Sequence, residues 1–290
     1  MIKLIIKLIR PQQWTKNAFC FAGVMFGGRI HEPHSILLAF FTFMVFSAAS
    51  SSAYVLNDIM DRERDCEHPK KCTRPIASGA ISVPVAASIG LLMATVGFCG
   101  GYALGVPTLA CLILYLVNNA AYSLYLKHAT LLDAISIAFG FVLRLLAGIY
   151  VLGDLPTAWI VLCTFFLSLF LSFAKRRAEI LSLADKDNFQ RPVLNNYSLH
   201  YLDHLTSSSA TMALLCYALF TILSGKTPDL IITLPIVYYG IMHYQQLIMV
   251  RGVGEEPDQI LLKNWGIKLC LLLWILTYYA VLHWNPKLFR

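Results

Sequence analysis

Long apolar segments alternate with short polar segments along nearly the whole chain. A helix needs about 20 apolar residues to cross about 30 Å of hydrocarbon, and this length predicts nine membrane-spanning helices. Their predicted ranges are 16–31, 36–60, 83–104, 106–126, 131–152, 156–176, 206–224, 229–250 and 266–284. Ahead of them, Lys3, Lys7 and Arg10 recur at helical spacing among isoleucines and leucines, which predicts an interfacial helix at residues 1–12 rather than a signal peptide.

The composition supports an all-α integral membrane protein. Only 13% of the 290 residues are charged and 58% are hydrophobic, whereas soluble domains have about 25% charged residues. No fixed-period repeat or low-complexity stretch interrupts the pattern, which predicts a single domain over residues 1–290. The eight cysteines lack zinc-ligand spacing, and most fall in apolar segments, which is typical of residues that fill a hydrophobic core.

The basic residues are concentrated on one side of the predicted helices. Eighteen of the 23 lysines and arginines lie in five segments, namely the N-terminus, 61–82, 127–130, 175–205 and 250–268. By the positive-inside rule these segments are cytoplasmic. The formal net charge of +7 therefore indicates an anionic membrane surface and phosphorylated ligands as partners, and does not indicate nucleic acid.

A stripe of polar residues ends the second predicted span. Asn57, Asp61 and Asp65 follow one another at four-residue steps, with Asp58 beside them, so their side chains share one helix face. Carboxylates about 6 Å apart repel by about 3 kcal/mol at an effective dielectric constant near 20, and a bound cation would relieve this repulsion. Mg²⁺ fits, because it prefers oxygen ligands shared with substrate phosphates. The alternative is a solvated acidic helix end neutralised by Arg62 and Arg64.

Basic residues follow the aspartates on the same predicted side of the membrane. Lys70, Lys71 and Arg74 lie in the next loop, and Lys127 lies in a short turn after the fourth predicted span. Carboxylates for a metal and nearby basic donors are what a magnesium–diphosphate group requires. Tyr122 lies one turn before Lys127, whereas His128 alone is weak evidence for a general base.

Two further arginine positions leave alternatives open. Arg144 lies eleven residues, or about 16 Å of helix, beyond Asp133, at a depth where an arginine needs a polar cavity or a partner. It either forms an ion pair with a neighbouring helix or faces an anionic ligand. Lys175 and Arg176, followed by Arg177, end the sixth predicted span, either as a membrane anchor or as ligands.

Several longer motifs resemble one enzyme family. Asn57-Asp58-Ile-Met-Asp61-Arg-Glu-Arg-Asp65 is similar to the first aspartate motif of the UbiA superfamily, whose members are bundles of about nine transmembrane helices. Within the superfamily, the sequence most resembles the branch of decaprenyl-phosphate phosphoribosyltransferases. The segments that carry this resemblance are RPQQWTKN at 10–17, YVLNDIMDRERDCEHPKKCTRPIASG at 54–79, YSLYLKHATLLD at 122–133, GFVLRLLAG at 140–148, AKRRAEI at 174–180 and EEPDQILLKN at 255–264.

The resemblance implies transfer of 5-phosphoribose from phosphoribosyl diphosphate (PRPP) to a polyprenyl phosphate at the cytoplasmic side of the inner membrane. It implies that Asp58 and Asp61 are catalytic and, together with Asp65, bind Mg²⁺. The substrate ligands that it implies are Gln13, Lys16, Asn57, Lys71, Arg74, Tyr122, Lys127, Arg144, Lys175 and Arg176. Chain length of the lipid and a homo-oligomeric state stay open.

The chain departs from the wider superfamily at two places. Where prenyltransferases have a second aspartate motif, this chain reads Ala174-Lys175-Arg176-Arg177, and Asp185 and Asp187 follow too late. Replacing acid by base suits an acceptor that carries a phosphate. Asn264 stands where the branch is expected to have aspartate, which leaves the role of the 251–264 loop in doubt.

Two other functions are compatible with parts of the pattern. A UbiA prenyltransferase that moves a prenyl chain onto an aromatic acceptor would have the same fold and metal. Such an enzyme has a second aspartate motif, however, and this chain lacks it. A polyprenyl-phosphate carrier or flippase would place its functional charges near the bilayer midplane, whereas here nearly all charges lie at one face.

Overall fold

The computed structural model describes residues 1–67, 71–183, 192–250, 260, 263–284 and 287–289, and this part of the chain contains helices and no β-strand. We number the α-helices α1 (Ile2–Ile9), α2 (Ala22–Gly27), α3 (Pro33–Met60), α4 (Arg62–Glu67), α5 (Val83–Ala103), α6 (Val106–Leu124), α7 (Leu132–Tyr150), α8 (Ala158–Leu183), α9 (Leu199–Leu223), α10 (Leu234–Met249) and α11 (Trp265–Trp284). Short 3₁₀-helices connect several of them, including Pro11–Phe21, Leu126–His128 and Pro228–Thr233.

Seven of the described helices are long and apolar enough to cross a membrane, namely α3, α5, α6, α7, α8, α9 and α11. The protein is therefore a multi-pass membrane protein, but the predicted count of nine spans is not confirmed. The range 16–31 does not form one helix: it contains the end of a 3₁₀-helix and the short α2, whose C-cap Gly28 has a φ of 73°. Helix α10 has 16 residues, or about 24 Å, which is less than the hydrocarbon thickness.

The described residues form two compact units. The first contains residues 1–129 and 139–155, and the second contains residues 130–138 and 156–290. Helix α7 begins in the second unit and continues in the first. The prediction of one domain over 1–290 stays a prediction.

The first unit is built around α3. Its core contains Phe46, Leu112, Tyr115 and Leu143, and α3 packs against α5, α6 and the 3₁₀-helix Pro11–Phe21. One close crossing depends on a glycine: a Cβ at Gly148 would lie 2.0 Å from the carbonyl oxygen of Cys20. Only a residue without a side chain allows these two backbones to approach so closely.

The second unit is built around the pairing of α8 and α9. Its largest core cluster includes Phe170, Tyr244, Leu247 and Ile267. Asn264 caps α11, because its Oδ1 accepts a hydrogen bond of 3.0 Å from the backbone N–H of Ile267. Asparagine and aspartate are nearly equivalent at such a position, which gives Asn264 a structural role. The residues 251–259, 261 and 262 of the predicted 251–264 loop lie outside the described residues, as do Lys70, Asp185 and Asp187.

All eight cysteines are free thiols. Cys20, Cys111, Cys216 and Cys270 are buried, as expected for residues that fill a core. Cys66 is exposed on α4, where its Sγ lies 3.1 Å from the carbonyl oxygen of Ala77.

Candidate active site at the end of α3

The aspartates lie where α3 passes into α4. Asn57 and Asp58 belong to the last turn of α3, Asp61 is its C-cap, and Asp65 lies on α4. The backbone continues the helical pattern, because Asp61 N–H bonds to Asn57 O and Asp65 N–H bonds to Asp61 O, both at 2.9 Å. Asp58 and Asp65 are only 2% and 3% exposed. Buried carboxylates require positive partners.

Each aspartate has a basic partner within the first unit. Arg74 Nη1 donates to Asp58 Oδ1 at 3.0 Å and also to Asp65 Oδ2. Lys127 Nζ donates to Asp61 Oδ1 at 2.6 Å. The structure thus brings together acids and bases that the sequence placed in separate segments. Arg62 and Arg64, the alternative partners, are exposed.

Two further residues that the sequence predicted, Lys71 and Asn57, lie beside these acids and bases. Lys71 Nζ is 4.0 Å from Asp65 Oδ1. Asn57 Oδ1 accepts a hydrogen bond of 3.2 Å from Ser123 Oγ, near the end of α6, and the half-buried Tyr122 precedes Ser123. We call the group of three acids and four bases the aspartate cluster. Its members are Asp58, Asp61, Asp65, Arg10, Lys71, Arg74 and Lys127.

Sequence reasoning missed Arg10 as a member of this cluster. Its guanidinium contacts both carboxylate oxygens of Asp58, with Nη2 at 2.6 Å from Oδ2. Its Cζ also lies 5.4 Å from the ring centre of Tyr54. The only sequence signal was that Arg10 opens the RPQQWTKN motif, because its partner lies 48 residues further along the chain.

Gln13 and Lys16, from the same motif, lie on the 3₁₀-helix Pro11–Phe21 and are half-buried. The next residue, Asn17, is completely buried. Its Nδ2 donates to Ser47 Oγ at 3.0 Å and to Ser50 Oγ at 3.3 Å. This contact anchors the 3₁₀-helix on the polar face of α3.

Arg144 is 5% exposed and has three neutral hydrogen-bond acceptors. These are Asn17 Oδ1 at 2.6 Å, Gly140 O at 2.9 Å and Tyr115 OH at 2.8 Å. Its guanidinium also lies over the Tyr115 ring, 4.5 Å from the centre. No carboxylate pairs with Arg144 among the residues described, so the interpretation as a structural ion pair is wrong for this part of the chain. A buried cation held by neutral groups leaves its charge available to an anion.

Arg176 belongs to the second unit and already has a carboxylate partner. Its Nε donates to Asp133 Oδ2 at 2.8 Å, and both side chains are 1% exposed. The hydroxyl of Tyr197 donates to Asp133 Oδ1 at 2.9 Å and accepts from the backbone N–H of Leu131 at 2.8 Å. This environment is that of a structural ion pair.

The neighbours of Arg176 on α8 differ in their surroundings. Arg177 Nε donates to Asp203 Oδ1 at 2.5 Å, and its Nη1 donates to Ile248 O at 3.0 Å. Arg177 therefore holds α9 and the end of α10. Lys175 is half-buried.

The ionisation of His128 is affected by charges of the aspartate cluster. The pKa of His128, on the 3₁₀-helix Leu126–His128, lies below the usual histidine value. Loss of hydration at the ring is the largest cause, and the positive charges of Lys127 and Arg64 add to it, while Asp61 opposes them. His128 is therefore mostly neutral at pH 7, because the fold disfavours another positive charge there.

The donor atoms of the cluster suit a hard divalent cation that shares its coordination with a phosphate. Arg74 Nη1 contacts one oxygen of Asp58 and one of Asp65, so a positive group already bridges these two carboxylates. Mg²⁺ usually takes one or two carboxylates together with waters and phosphate oxygens. A cage of three acidic, histidine or cysteine ligands is not formed by the residues that the structure describes, and Asp61 Oδ1 accepts a hydrogen bond from Lys127.

Comparison with known proteins identifies the family of this chain. The model of the UbiA prenyltransferase family matches residues 17–274. The chain is 31% identical to the decaprenyl-phosphate phosphoribosyltransferase of Mycolicibacterium smegmatis, over 98% of this chain and 94% of that protein. It is also 31% identical to the enzyme of that name from Mycobacterium tuberculosis, over 94% of this chain and 92% of that protein.

A solved structure shares the fold. The UbiA homologue from Archaeoglobus fulgidus, bound to GPP and Mg²⁺, has a TM-score of 0.74 and 19% identity, covering 97% of this chain and 99% of that one. The seven long apolar helices, the aspartate cluster and the match over residues 17–274 lead to one conclusion: this chain is a multi-pass membrane transferase that belongs to the UbiA prenyltransferase family.

Proposed function

We propose that this protein transfers a 5-phosphoribosyl group from PRPP to a polyprenyl phosphate and releases diphosphate. The similarity to two mycobacterial phosphoribosyltransferases along at least 94% of the chain is the observation that carries the choice of donor and acceptor. The aspartate cluster supports the diphosphate part of the reaction, because it combines buried carboxylates with basic groups from separate segments.

Magnesium is the proposed cofactor, and Asp58 and Asp65 are the residues that would hold it, with Asp61 nearby. A related protein of the same fold is solved with GPP and Mg²⁺. When bound, the metal stabilises the negative charge that develops on departing diphosphate. Hard oxygen ligands and a bridging positive charge at Asp58 and Asp65 support this assignment.

The basic residues of the cluster would bind and orient the diphosphate. Arg74 and Lys127 now donate to carboxylates, and Lys71 Nζ lies 4.0 Å from Asp65 Oδ1. All three can donate to phosphate oxygens when those carboxylates take other partners. The bond between ribose C1 and the diphosphate oxygen breaks, and a bond from C1 to the acceptor phosphate oxygen forms on the opposite face. The acceptor is already anionic, so no general base is required, in agreement with a neutral and exposed His128.

Arg144 would attract an anionic group into the polar interior of the first unit. Its three partners are neutral oxygens, and electrostatic attraction in a buried site is stronger than at a surface. Gln13, Lys16, Asn57, Tyr122, Lys175 and Arg176 remain candidate substrate ligands. For Arg176 the pair with Asp133 favours a structural role.

We also propose that the reaction occurs at the cytoplasmic side of the inner membrane. Eighteen of the 23 lysines and arginines lie in the five segments on that predicted side, and the positive-inside rule assigns such segments to the cytoplasm. Lys71, Arg74 and Lys127 belong to these segments, so the aspartate cluster would face the compartment that supplies phosphorylated metabolites.

Mass spectrometry of lipid products tests the proposal. Membranes containing the protein are incubated with isotope-labelled PRPP and polyprenyl phosphate, or with a prenyl diphosphate and an aromatic acceptor. We expect a labelled phosphoribosyl lipid from the first mixture only, and its loss in Asp58→Asn at saturating Mg²⁺. Arg62→Gln removes an exposed charge close to the cluster and is the matched control that should keep activity.

Other outcomes point to the alternatives. Products from the prenyl diphosphate mixture alone would identify an aromatic prenyltransferase. Movement of polyprenyl phosphate across proteoliposomes without any covalent product would identify a carrier. Full turnover in Asp58→Asn would contradict the assigned site.

A further inference from the structure

Helix α1 is attached to the aspartate end of α3 by several independent contacts. Leu8 is completely buried and packs with Val55 and Ile76. Lys7 Nζ donates to the carbonyl oxygen of Thr73 at 2.6 Å. The carbonyl oxygen of Ile9 accepts a hydrogen bond of 2.8 Å from Ser51 Oγ. The short N-terminal helix is therefore a fixed part of the first unit.

The chain turns sharply at Arg10, directly after this helix. Arg10 has a φ of 53° and a ψ of 61°, which is the left-handed region that non-glycine residues rarely adopt. Such a conformation persists only where the surrounding contacts determine it, and it is often associated with function. Here it accompanies the contact of the guanidinium with both oxygens of Asp58.

The balance of charge in the aspartate cluster is positive. Four basic side chains face three carboxylates, which gives a net charge of +1. A divalent cation alone would raise this value to +3 and would compete with Arg10 and Arg74 for the oxygens of Asp58. A diphosphate, with about three negative charges, would restore the balance and offer new acceptors to the displaced guanidinium groups.

We propose that Arg10 is an exchange residue, which neutralises Asp58 when metal and diphosphate are absent and moves its guanidinium to the diphosphate when Asp58 binds the metal. The inference rests on the proposed function in one respect: the donor must carry a metal-bound diphosphate. It does not depend on which group the donor transfers. Metal and diphosphate then bind cooperatively, and the turn at Arg10 links the docking of α1 to loading of the site.

The experiment measures binding rather than turnover. Full-length protein in nanodiscs is titrated with Mn²⁺, a paramagnetic substitute for Mg²⁺, with and without inorganic diphosphate, and bound metal is measured by electron paramagnetic resonance. For the unmodified protein we expect weak binding of Mn²⁺ alone and tighter binding with diphosphate. Arg10→Gln should bind Mn²⁺ alone about tenfold more tightly, and the gain from diphosphate should shrink about tenfold.

Two variants make the result specific. Arg10→Lys keeps the charge and should restore most of the diphosphate effect, and it provides the test if Arg10→Gln does not fold. Arg62→Gln removes the same charge from an exposed position on α4 and should change neither affinity more than about twofold. Thermal unfolding of each variant verifies that the first unit is intact.

Three results would overturn the inference. The first is that Arg10→Gln changes Mn²⁺ binding no more than Arg62→Gln does. The second is that Arg10→Gln weakens Mn²⁺ binding equally with and without diphosphate. The third is that the unmodified protein does not bind Mn²⁺ in the presence of diphosphate. Because the probe is inorganic diphosphate, these results do not depend on whether PRPP is the donor. Failure of the lipid-product assay with normal Mn²⁺ binding would contradict only the proposed function.

Discussion

The pair formed by Arg176 and Asp133 allows a substrate ligand to be distinguished from a structural cation. Both side chains are 1% exposed and their nearest charged atoms are 2.8 Å apart. Removing Arg176 leaves Asp133 buried without its counter-charge, which costs about 3–5 kcal/mol. Removing Asp133 leaves Arg176 with Glu179, whose Oε2 lies 3.7 Å from Arg176 Nη1. Asp133→Asn also weakens the hydrogen bond from Tyr197, which contributes about 1 kcal/mol. We therefore expect Arg176→Gln to lower the free energy of unfolding by about 3–5 kcal/mol, and Asp133→Asn to lower it by less, because Glu179 stays near Arg176.

The assay is reversible unfolding in mixed micelles, combined with steady-state kinetics. The double variant Arg176→Gln with Asp133→Asn should lose less stability than the sum of the single variants by about 2 kcal/mol, because the two groups act as a pair. Arg62→Gln is the control: Arg62 is exposed on α4, so its loss should be about 0.5 kcal/mol or less.

A different outcome would refute the structural role. If Arg176→Gln lost less than about 1 kcal/mol, well below the loss expected for a buried pair, while raising the KM for either substrate, Arg176 would be a ligand. Additive losses in the double variant would also contradict the pairing.

Three further predictions concern single positions. Gly148→Ala should cost about 3 kcal/mol and lower Tm by several degrees, because the added Cβ would lie 2.0 Å from Cys20 O; an unchanged Tm would contradict the close crossing. In an NMR titration, the midpoint for the His128 ring should lie below about pH 6.5. Any stability that depends on its neutral form is therefore complete above that pH and is lost as the pH falls through the lowered pKa. Lys127→Gln should raise the titration midpoint of His128, and a midpoint at or above about 6.5 in the unmodified protein would be inconsistent with this reasoning. Arg144→Leu should raise a substrate KM more than about tenfold, and it should also cost stability because Asn17 Oδ1 and Tyr115 OH lose a buried donor; a loss of stability with an unchanged KM would assign Arg144 to folding alone.

The apolar pattern predicted most of the long helices because hydrocarbon length constrains them closely. Helix α3 ends at Met60, and α5 begins at Val83, as expected. The prediction ended the sixth span near residue 176, whereas α8 continues to Leu183. Its last turns are polar and are stabilised by ion pairs with Asp133 and Asp203, and hydrophobicity alone cannot identify such stabilisation.

The site was predictable where its residues are close in sequence. Arg74 follows Asp58 by 16 residues, and both lie at the same end of one predicted span. Arg10 was not predictable, because its contact with Asp58 depends on a left-handed turn that no local propensity specifies. The neutral surroundings of Arg144 were equally inaccessible, because they come from three separate helices.

The exposed thiol of Cys66 offers a native reporter for events at the neighbouring carboxylates. It directly follows Asp65 on α4, and four of the other cysteines are shielded inside the protein. A maleimide dye on Cys66 would place a fluorophore within one residue of the group that Arg74 and Lys71 contact. Replacing the exposed Cys99 and the partly exposed Cys72 and Cys163 would leave one labelling position from which ligand-dependent changes in emission could be followed in real time.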